Sequence, residues 1–87
     1  MKKLSLKVSK KIDPGMRLRH FNLGDELYIE LFKLLKVLDL AGSGGEAKFL
    51  ISDGLVKLNG ATEYRKRAKI RVGDTVEISG YLIRIEK

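Results

Sequence analysis

A run of basic side chains in the last third of the chain is the feature best suited to binding a ligand. Arg65, Lys66, Arg67 and Lys69 follow one another closely, and Lys57 precedes them. Arginine donates hydrogen bonds to phosphate through a planar fork, and lysine does so as a point charge. The run therefore indicates a polyanionic ligand, with a solvated loop that binds nothing as the open alternative.

The charge is divided into basic and acidic blocks along the chain. Residues 1–20 carry a net charge of +6 and residues 55–71 a net charge of +5, whereas residues 21–54 sum to −3 and residues 72–87 to −1. Separated basic blocks create local positive fields that attract polyanions and that salt weakens. Nucleic acid is the leading partner, and an anionic membrane surface is the runner-up.

No combination of residues indicates catalysis or a metal site. His20 is the single histidine and cysteine is absent, so we expect His20 to be a surface residue or an additional phosphate contact. Asp25, Glu26 and Glu30 are explained by a helix start, where the dipole favours carboxylates. Gly44-Gly45 lacks the lysine and hydroxyl that complete a phosphate-binding loop. We therefore expect no enzyme, no cofactor and no metal.

The length and the cysteine content limit the class of protein further. A chain of 87 residues fits one domain with a modest core and has no room for a large catalytic cleft. The apolar residues near the N-terminus are interrupted by polar ones, so they do not form a signal peptide. No segment approaches the roughly 20 apolar residues of a membrane span. We expect a soluble, cytoplasmic protein.

Residues 1–14 leave two interpretations open. Leu4, Leu6 and Val8 alternate with polar residues at the period of a half-buried strand, and a loose basic tail is the alternative. Asp13-Pro14-Gly15 then predicts a turn, because proline and glycine favour turn backbone angles.

A second short strand is predicted after this turn, ending near Leu23. Its alternating residues are Met16, Leu18 and His20 against Arg17 and Arg19.

A first helix is predicted to begin at Glu26, capped by Asp25, and to end near Leu40. Its apolar stripe consists of Leu27, Leu31, Leu34, Leu35 and Leu38, widened by Ile29 and Phe32. Its polar face carries Glu26, Glu30, Lys33 and Lys36. We assign the stripe to the core.

A second helix is predicted to start at Ser43 with a capping box. In this motif the Ser43 hydroxyl accepts from the Glu46 N–H and the Glu46 carboxylate accepts from the Ser43 N–H. Ala47, Leu50 and Ile51 would face inward, and Gly54 would end the helix in the left-handed conformation.

The remainder of the chain reads as short strands. Asn59-Gly60 favours a tight hairpin turn, and strands are expected around residues 70–72, 75–78 and 81–85. The predicted class is α+β, with two packed helices on a small, mostly antiparallel sheet. Tyr64 could either stack on an unpaired base or anchor the sheet.

The order of these pieces resembles a known family, the S4 RNA-binding domain, named after small-subunit ribosomal protein four. The strings SGGEAK, VKLNG and TEYRKR are most similar to its small stand-alone bacterial members, the YbcJ-like proteins. The resemblance covers residues 20–87. It implies an αL motif, in which two helices and a hairpin hold structured RNA, and it divides the chain into a basic extension at 1–15 and an RNA-binding domain at 16–87.

The resemblance also implies which side chains contact RNA, with two departures. Many family members have basic residues where this chain has Glu30 and Gly44, so those contacts do not transfer. The matching positions are Lys48, Lys57, Arg65, Lys66, Arg67 and Lys69, with Lys33 and Lys36 as outer contacts.

The sequence therefore predicts a monomeric, non-catalytic protein that recognises structured ribosomal or transfer RNA by shape and phosphate contacts. The ribosome or an RNA-processing protein is a further candidate partner. The rival hypothesis is a basic adaptor that binds an acidic protein or an anionic surface, and the alternation of Leu4, Leu6 and Val8 argues against a membrane-bound helix.

Overall fold

The computed structural model describes residues 15–87, which form seven strands and two helices. The strands are β1 (Arg17–Asn22), β2 (Ile29–Glu30), β3 (Lys57–Leu58), β4 (Ala61–Thr62), β5 (Lys69–Ile70), β6 (Thr75–Ile78) and β7 (Tyr81–Glu86), and the helices are α1 (Leu31–Val37) and α2 (Gly44–Ser52). The possible strand through Leu4, Leu6 and Val8 lies outside the described residues.

Five strands form one sheet in the order β1-β7-β6-β3-β4, and β2 pairs with β5 in a separate two-stranded sheet. Among the strands of residues 15–87, only β1 and β7 run parallel, and the other pairs are antiparallel. The predicted α+β class with a mostly antiparallel sheet is confirmed. The strands predicted at 75–78 and 81–85 are present as β6 and β7.

The hairpin between β3 and β4 turns at Asn59-Gly60, as predicted. Both residues have positive φ, 52° for Asn59 and 89° for Gly60. A tight turn of this kind matches the twist of the flanking strands and requires residues that tolerate the left-handed region. The Asn59 side chain also fixes the neighbouring turn, because its amide donates to Asp74 Oδ1 and its oxygen accepts from the Thr75 N–H.

The predicted second strand is present as β1, but the face that the sequence predicted to be apolar, with Leu18, is turned away from the core. Leu18 is exposed, whereas Phe21 packs against the core. Phe21 pairs in register with buried Ile85, and Leu18 pairs with Leu82 on the other face of the sheet. The apolar positions of this edge strand therefore do not all point inward.

The prediction for the start of the first helix is wrong. Helix α1 begins at Leu31 with Glu30 as its N-cap residue, and not at Glu26 with Asp25 as the cap. Leu27, assigned to the apolar stripe, is 82% exposed. The cause is a pairing with a distant segment: Ile29 and Glu30 form β2 and pair with β5.

The backbone of a loop replaces the missing side-chain cap of α1. The Leu31 N–H donates to the Ala68 carbonyl at 2.9 Å, and the Phe32 N–H donates to the Lys66 carbonyl at 3.0 Å. These first-turn N–H groups have no partner within a helix, so an external acceptor is required. The basic segment 65–71, which we call the basic loop, is thus joined to the start of α1 through its main chain.

The capping box of α2 is confirmed in one half and shifted in the other. The Glu46 N–H donates to Ser43 Oγ at 3.1 Å, as predicted. The Glu46 carboxylate, however, accepts from the Gly42 N–H instead of the Ser43 N–H. Gly54 follows the helix with φ +79°, which confirms the left-handed end.

The core lies between the helices and the inner face of the five-stranded sheet. Leu31, Leu34, Leu35, Ala47, Ile51, Val56, Ile70, Val76 and Ile83 have no measurable exposure. The assignment of the α1 stripe to the core is therefore confirmed from Leu31 onward. Neither helix within residues 15–87 is long and apolar enough to cross a membrane.

Candidate nucleic-acid interface

The ring of Phe32 brings together three cations from three parts of the chain. Lys48 Nζ lies 4.8 Å from the ring centroid, the Arg67 guanidinium 5.2 Å and Lys33 Nζ 5.9 Å. These distances are within the range of cation–π attraction. Phe32 and Lys33 belong to α1, Lys48 to α2 and Arg67 to the basic loop, so one aromatic ring positions cations from both helices and the loop. We call these four residues the Phe32 group.

Glu30 stands between two of these cations. Its Oε1 lies 3.2 Å from Arg67 Nη1 and 3.4 Å from Lys33 Nζ. The Glu30 side chain is 21% exposed, whereas the side chains of Lys33 and Arg67 are 58% and 63% exposed. The carboxylate therefore lies behind the two cations, which face solvent.

A second carboxylate holds Arg65. Arg65 Nε donates to Glu63 Oε2 at 2.9 Å, and Arg65 Nη2 donates to Glu63 Oε1 at 3.1 Å. The Arg65 backbone N–H also donates to Glu63 Oε2 at 2.9 Å. The hydrogen bond from Arg65 lowers the pKa of Glu63, and the same pairing raises the pKa of Arg65. Glu63 is consequently ionised at neutral pH.

A second aromatic ring lies beside the first group. The Tyr28 ring centroid is 5.2 Å from Lys69 Nζ and 5.8 Å from the Arg71 guanidinium. Tyr28 immediately precedes β2, and Lys69 is part of β5. The pairing of β2 with β5 therefore sets this ring next to the end of the basic loop.

The cations at odd-numbered positions of the loop share one depression. Arg65, Arg67, Lys69 and Arg71 line an open groove of about 400 Å³ together with Ala68. The Ala68 N–H donates to the Arg65 carbonyl at 3.2 Å, which closes a turn within the loop. Lys66 is exposed but is not among the lining residues.

These side chains form one surface, which we call the helix–loop surface. Its cations are Lys33, Lys48, Arg65, Lys66, Arg67, Lys69 and Arg71, and the carboxylates paired with these cations are Glu30 and Glu63. Seven cations and two carboxylates give a net charge of +5. Exposed guanidinium and ammonium groups at this density are suited to neutralising several phosphates at once.

Two predicted contact residues lie apart from the Phe32 group. Lys57, the first residue of β3, lies between buried Val56 and half-buried Leu58, so it faces away from the core, opposite Glu77 on β6. Lys36 is exposed in the last turn of α1, and no contact with the Phe32 group is found for it within residues 15–87.

Tyr64 is on the surface and outside the strands. It lies between β4 and β5 and is 62% exposed. Its ring lies next to Gly54 at the end of α2. The sheet-anchor alternative for Tyr64 is therefore wrong. Its stacking on a base stays a prediction.

His20 is engaged on a different face. Its Nδ1 lies 2.7 Å from Glu86 Oε2, a contact between β1 and β7. Within the described part of the chain, no three histidine, cysteine, aspartate or glutamate residues come together as a metal site.

The sequence reading missed Arg71, Tyr28 and the role of the Phe32 ring. Arg71 continues the two-residue spacing of Arg65, Arg67 and Lys69, and that period was the available signal. The positions of the rings carried no such signal, because Phe32 looked like part of the apolar stripe and Tyr28 like a helical residue.

Comparison with known proteins identifies similar sequences. The family model described as S4 domain matches residues 21–86. "Putative RNA-binding protein YbcJ" of Escherichia coli K12 is 43% identical over 65 residues, which cover 75% of this chain and 93% of the relative. "Probable ribosome maturation protein RlbA" of Bacillus subtilis 168 is 40% identical over 57 residues, covering 66% of this chain and 80% of that protein.

A solved structure is similar in both sequence and fold. The solution structure of YbcJ from E. coli, described as having an αL motif involved in RNA binding, aligns with a TM-score of 0.64 at 38% identity. The alignment covers 87% of this chain and 96% of YbcJ. The two helices and the mostly antiparallel sheet therefore have a close counterpart among solved structures.

Proposed function

Because the chain belongs to the S4 domain family, we propose that it is a non-catalytic protein that binds structured RNA through the helix–loop surface. The observation that carries the proposal is the Phe32 group, where cations from α1, α2 and the basic loop converge on one ring. The names of its relatives support RNA over other polyanions.

RNA would be held mainly by its phosphates. Lys33 and Lys48 project from the helices, and the four loop cations line the adjoining groove. A ligand that contacts both sets must present phosphates on two sides of a ridge or groove, which folded RNA does. Phosphate contacts position a protein and carry little sequence information.

A limited reading of bases is proposed for Tyr64. Its exposed ring follows Glu63 and precedes Arg65, so a base stacked on the ring would have its phosphate near the Arg65 guanidinium. Stacking of this kind is tolerant of sequence, because every base has a π face. Lys36 and Lys57 are retained as outlying predicted contacts.

Ribosomal RNA is the favoured ligand and transfer RNA the second candidate. The relative named for ribosome maturation supports the first. The proposed RNA-binding unit is residues 16–87, preceded by a basic extension that adds long-range attraction. The protein is proposed to act in the cytoplasm as a monomer.

The test is to identify the bound RNA and then to measure its affinity. Crosslinking in cells, followed by sequencing of the recovered RNA, should enrich a small set of folded rRNA or tRNA segments. The purified protein should bind one such segment more tightly than a DNA duplex of the same sequence, by fluorescence anisotropy at a fixed salt concentration. Enrichment of no RNA, or equal affinity for the DNA duplex, would contradict the proposal and favour a basic adaptor.

A further inference from the structure

Two carboxylates, Glu30 and Glu63, lie within the helix–loop surface, which is proposed to bind phosphates. The Glu63 side chain is 14% exposed and contacts the Arg65 side chain, which is 75% exposed, so the carboxylate lies beneath the guanidinium. Glu30 has the same relation to Arg67 and Lys33. Attraction alone would favour neutral residues at positions 30 and 63, because each carboxylate weakens the positive field.

The geometry at Glu63 fixes the direction of the Arg65 side chain. Both carboxylate oxygens accept from the guanidinium, and one of them also accepts from the Arg65 backbone N–H. A two-point fork of this kind restricts rotation more than a single ion pair does. Within residues 15–87 the third guanidinium nitrogen, Nη1, has no hydrogen-bond partner, so its two N–H groups and the second N–H of Nη2 are donors left for a phosphate.

Arg67 is restricted in a second way. Its Nη1 is 3.2 Å from Glu30 Oε1, and its guanidinium also lies over the Phe32 ring at 5.2 Å. An ion pair and a ring together define the plane in which the guanidinium can lie. Arg65 and Arg67 are therefore both held by carboxylates, while Lys66 has no such partner among the described residues.

We propose that Glu63 and Glu30 are positioning residues that orient Arg65 and Arg67 in advance, so that the helix–loop surface selects RNA of fixed shape over flexible polyanions. The inference rests on the proposed function and adds the basis of its selectivity. The carboxylates reduce overall attraction and increase the difference in affinity between the two kinds of ligand.

The physical reason is the entropy of ordering. A flexible single strand can adapt to mobile cations, whereas a rigid RNA gains most when the donors already match its phosphates. Ordering one rotamer-rich side chain on binding costs roughly 0.5–1.5 kcal/mol. Side chains that are already held before binding avoid that loss. Selectivity is the difference between the binding free energies for structured and flexible RNA, so it can increase even when both affinities decrease.

The test compares Glu63→Gln with Glu77→Gln, which removes the same charge on β6, away from the helix–loop surface. Dissociation constants are measured for a structured RNA identified as above and for single-stranded poly(U) of equal length. The readout is the ratio of the two affinities. If Glu63 only weakens the field, both variants bind both ligands more tightly and the ratio is unchanged.

The positioning role predicts a different outcome. Glu63→Gln should reduce the preference for structured RNA by about two- to tenfold, the range expected for one ordered side chain, and Glu77→Gln should leave the preference unchanged. Glu30→Gln should act in the same direction through Arg67. Thermal melting checks that every variant is folded, and the Glu30 variant keeps the test available if Glu63→Gln does not fold.

A double-mutant cycle with Arg65→Lys completes the design. Lysine keeps the charge but cannot form the fork, so adding Glu63→Gln to Arg65→Lys should change the ratio no further. The inference would be overturned if Glu63→Gln left the ratio of affinities for structured RNA and poly(U) unchanged. It would also be overturned if Glu63→Gln reduced that ratio equally in the wild-type protein and in the Arg65→Lys variant. If the wild-type protein binds neither RNA, the proposed function itself fails, so the two failures are distinguishable.

Discussion

The helix–loop surface and the outer face of the five-stranded sheet carry charge in opposite ways. The outer sheet face is the side turned away from the helices, where Lys57 and Arg84 are balanced by Glu77 and Glu86. Within residues 15–87 these two cations and two carboxylates sum to zero, with His20 left out of the count, against +5 on the helix–loop surface. The number of lysines and arginines therefore does not distinguish the two surfaces, whereas the excess of cations over neighbouring acids does.

The difference follows from the backbone that carries each surface. Strand pairing fixes neighbours across the sheet, so Lys57 lies opposite Glu77 and His20 meets Glu86. The helix–loop surface combines a helix pair with a turn, and cations at every second position of the loop line one groove together with Ala68. Its two carboxylates lie beneath the cations, whereas on the sheet acids and bases stand side by side.

The largest expected effect is that of salt on the wild-type protein. If about four to six phosphates are neutralised, the slope of log affinity against log salt should be roughly −3 to −5. Affinity for structured RNA should then fall by about 60- to 1,000-fold between 50 and 200 mM salt. Fluorescence anisotropy at several salt concentrations measures the slope. A slope near zero would rule out binding by phosphate neutralisation.

Reversing two charges on the helix–loop surface should have the next largest effect. Arg65→Glu with Arg67→Glu should weaken binding to structured RNA by at least roughly 100-fold, because two charged hydrogen bonds worth about 1.5 kcal/mol or more each are lost. Both side chains are mostly exposed, but each substitution also places a new carboxylate beside Glu63 or Glu30, so the melting temperature should fall while unfolding stays cooperative. Anisotropy and thermal melting provide the two measurements.

The matched control is Lys2→Glu with Lys3→Glu, which makes the same charge change in the basic extension. It should weaken binding less than the loop double variant does. Equal losses in two folded variants would mean that the helix–loop surface is no specific site, and a diffuse electrostatic or adaptor role would then account better for the charge.

Removal of residues 1–14 separates long-range attraction from the fold. The segment contains five lysines and one aspartate, a net charge of +4, so its loss should weaken RNA binding by roughly three- to tenfold. The core residues of the described part all lie from Leu23 onward, so residues 15–87 should still unfold cooperatively. Loss of a cooperative thermal transition would assign Leu4, Leu6 and Val8 to an integral strand.

Lys57 tests the comparison of the two surfaces directly. Since Lys57 faces away from the core and opposite Glu77, Lys57→Glu should weaken RNA binding by no more than about threefold, the scale of an exposed charge interaction. Arg67→Glu, with the same charge change, should weaken it much more. If the two single variants are equally harmful, the RNA reaches both faces and the helix–loop surface is only part of the site.

Local signals explain most of what the sequence predicted correctly. Ser43, Asn59-Gly60 and the alternating runs of β6 and β7 specify their structure through neighbouring residues alone. The predicted convergence of Lys48 with the basic loop is also present, because Phe32 receives Lys48 and Arg67 on one ring.

The errors arise where distant segments meet. Asp25 and Glu26 have the chemistry of a helix start, but pairing of β2 with β5 and the carbonyls of the loop move that start to Leu31. The grouping of Arg71 with Tyr28 depends on the same pairing. No pattern within residues 24–30 encodes the partner strand about 40 positions later, so this part of the site was not predictable from local sequence.

The smallest effect concerns the ends of the two helices that carry Lys33 and Lys48. Each helix ends in a left-handed residue, Gly54 after α2 but Asp39, with φ 61°, after α1. The Leu40 N–H donates to the Leu35 carbonyl across this turn at 2.9 Å. A side chain is disfavoured in such a conformation and glycine is not.

Asp39→Gly should therefore raise the free energy of unfolding by about 0.5 kcal/mol. Glycine removes the steric cost of the left-handed conformation, but its greater freedom in the unfolded chain cancels part of that gain. Asp39→Asn is the matched control, because it removes the same charge and keeps a side chain. Both variants should change RNA affinity equally, since Asp39 belongs to neither surface. Chemical denaturation compares the two, and an equal gain of stability in Asp39→Asn and Asp39→Gly would show that charge, and not backbone conformation, limits this helix end.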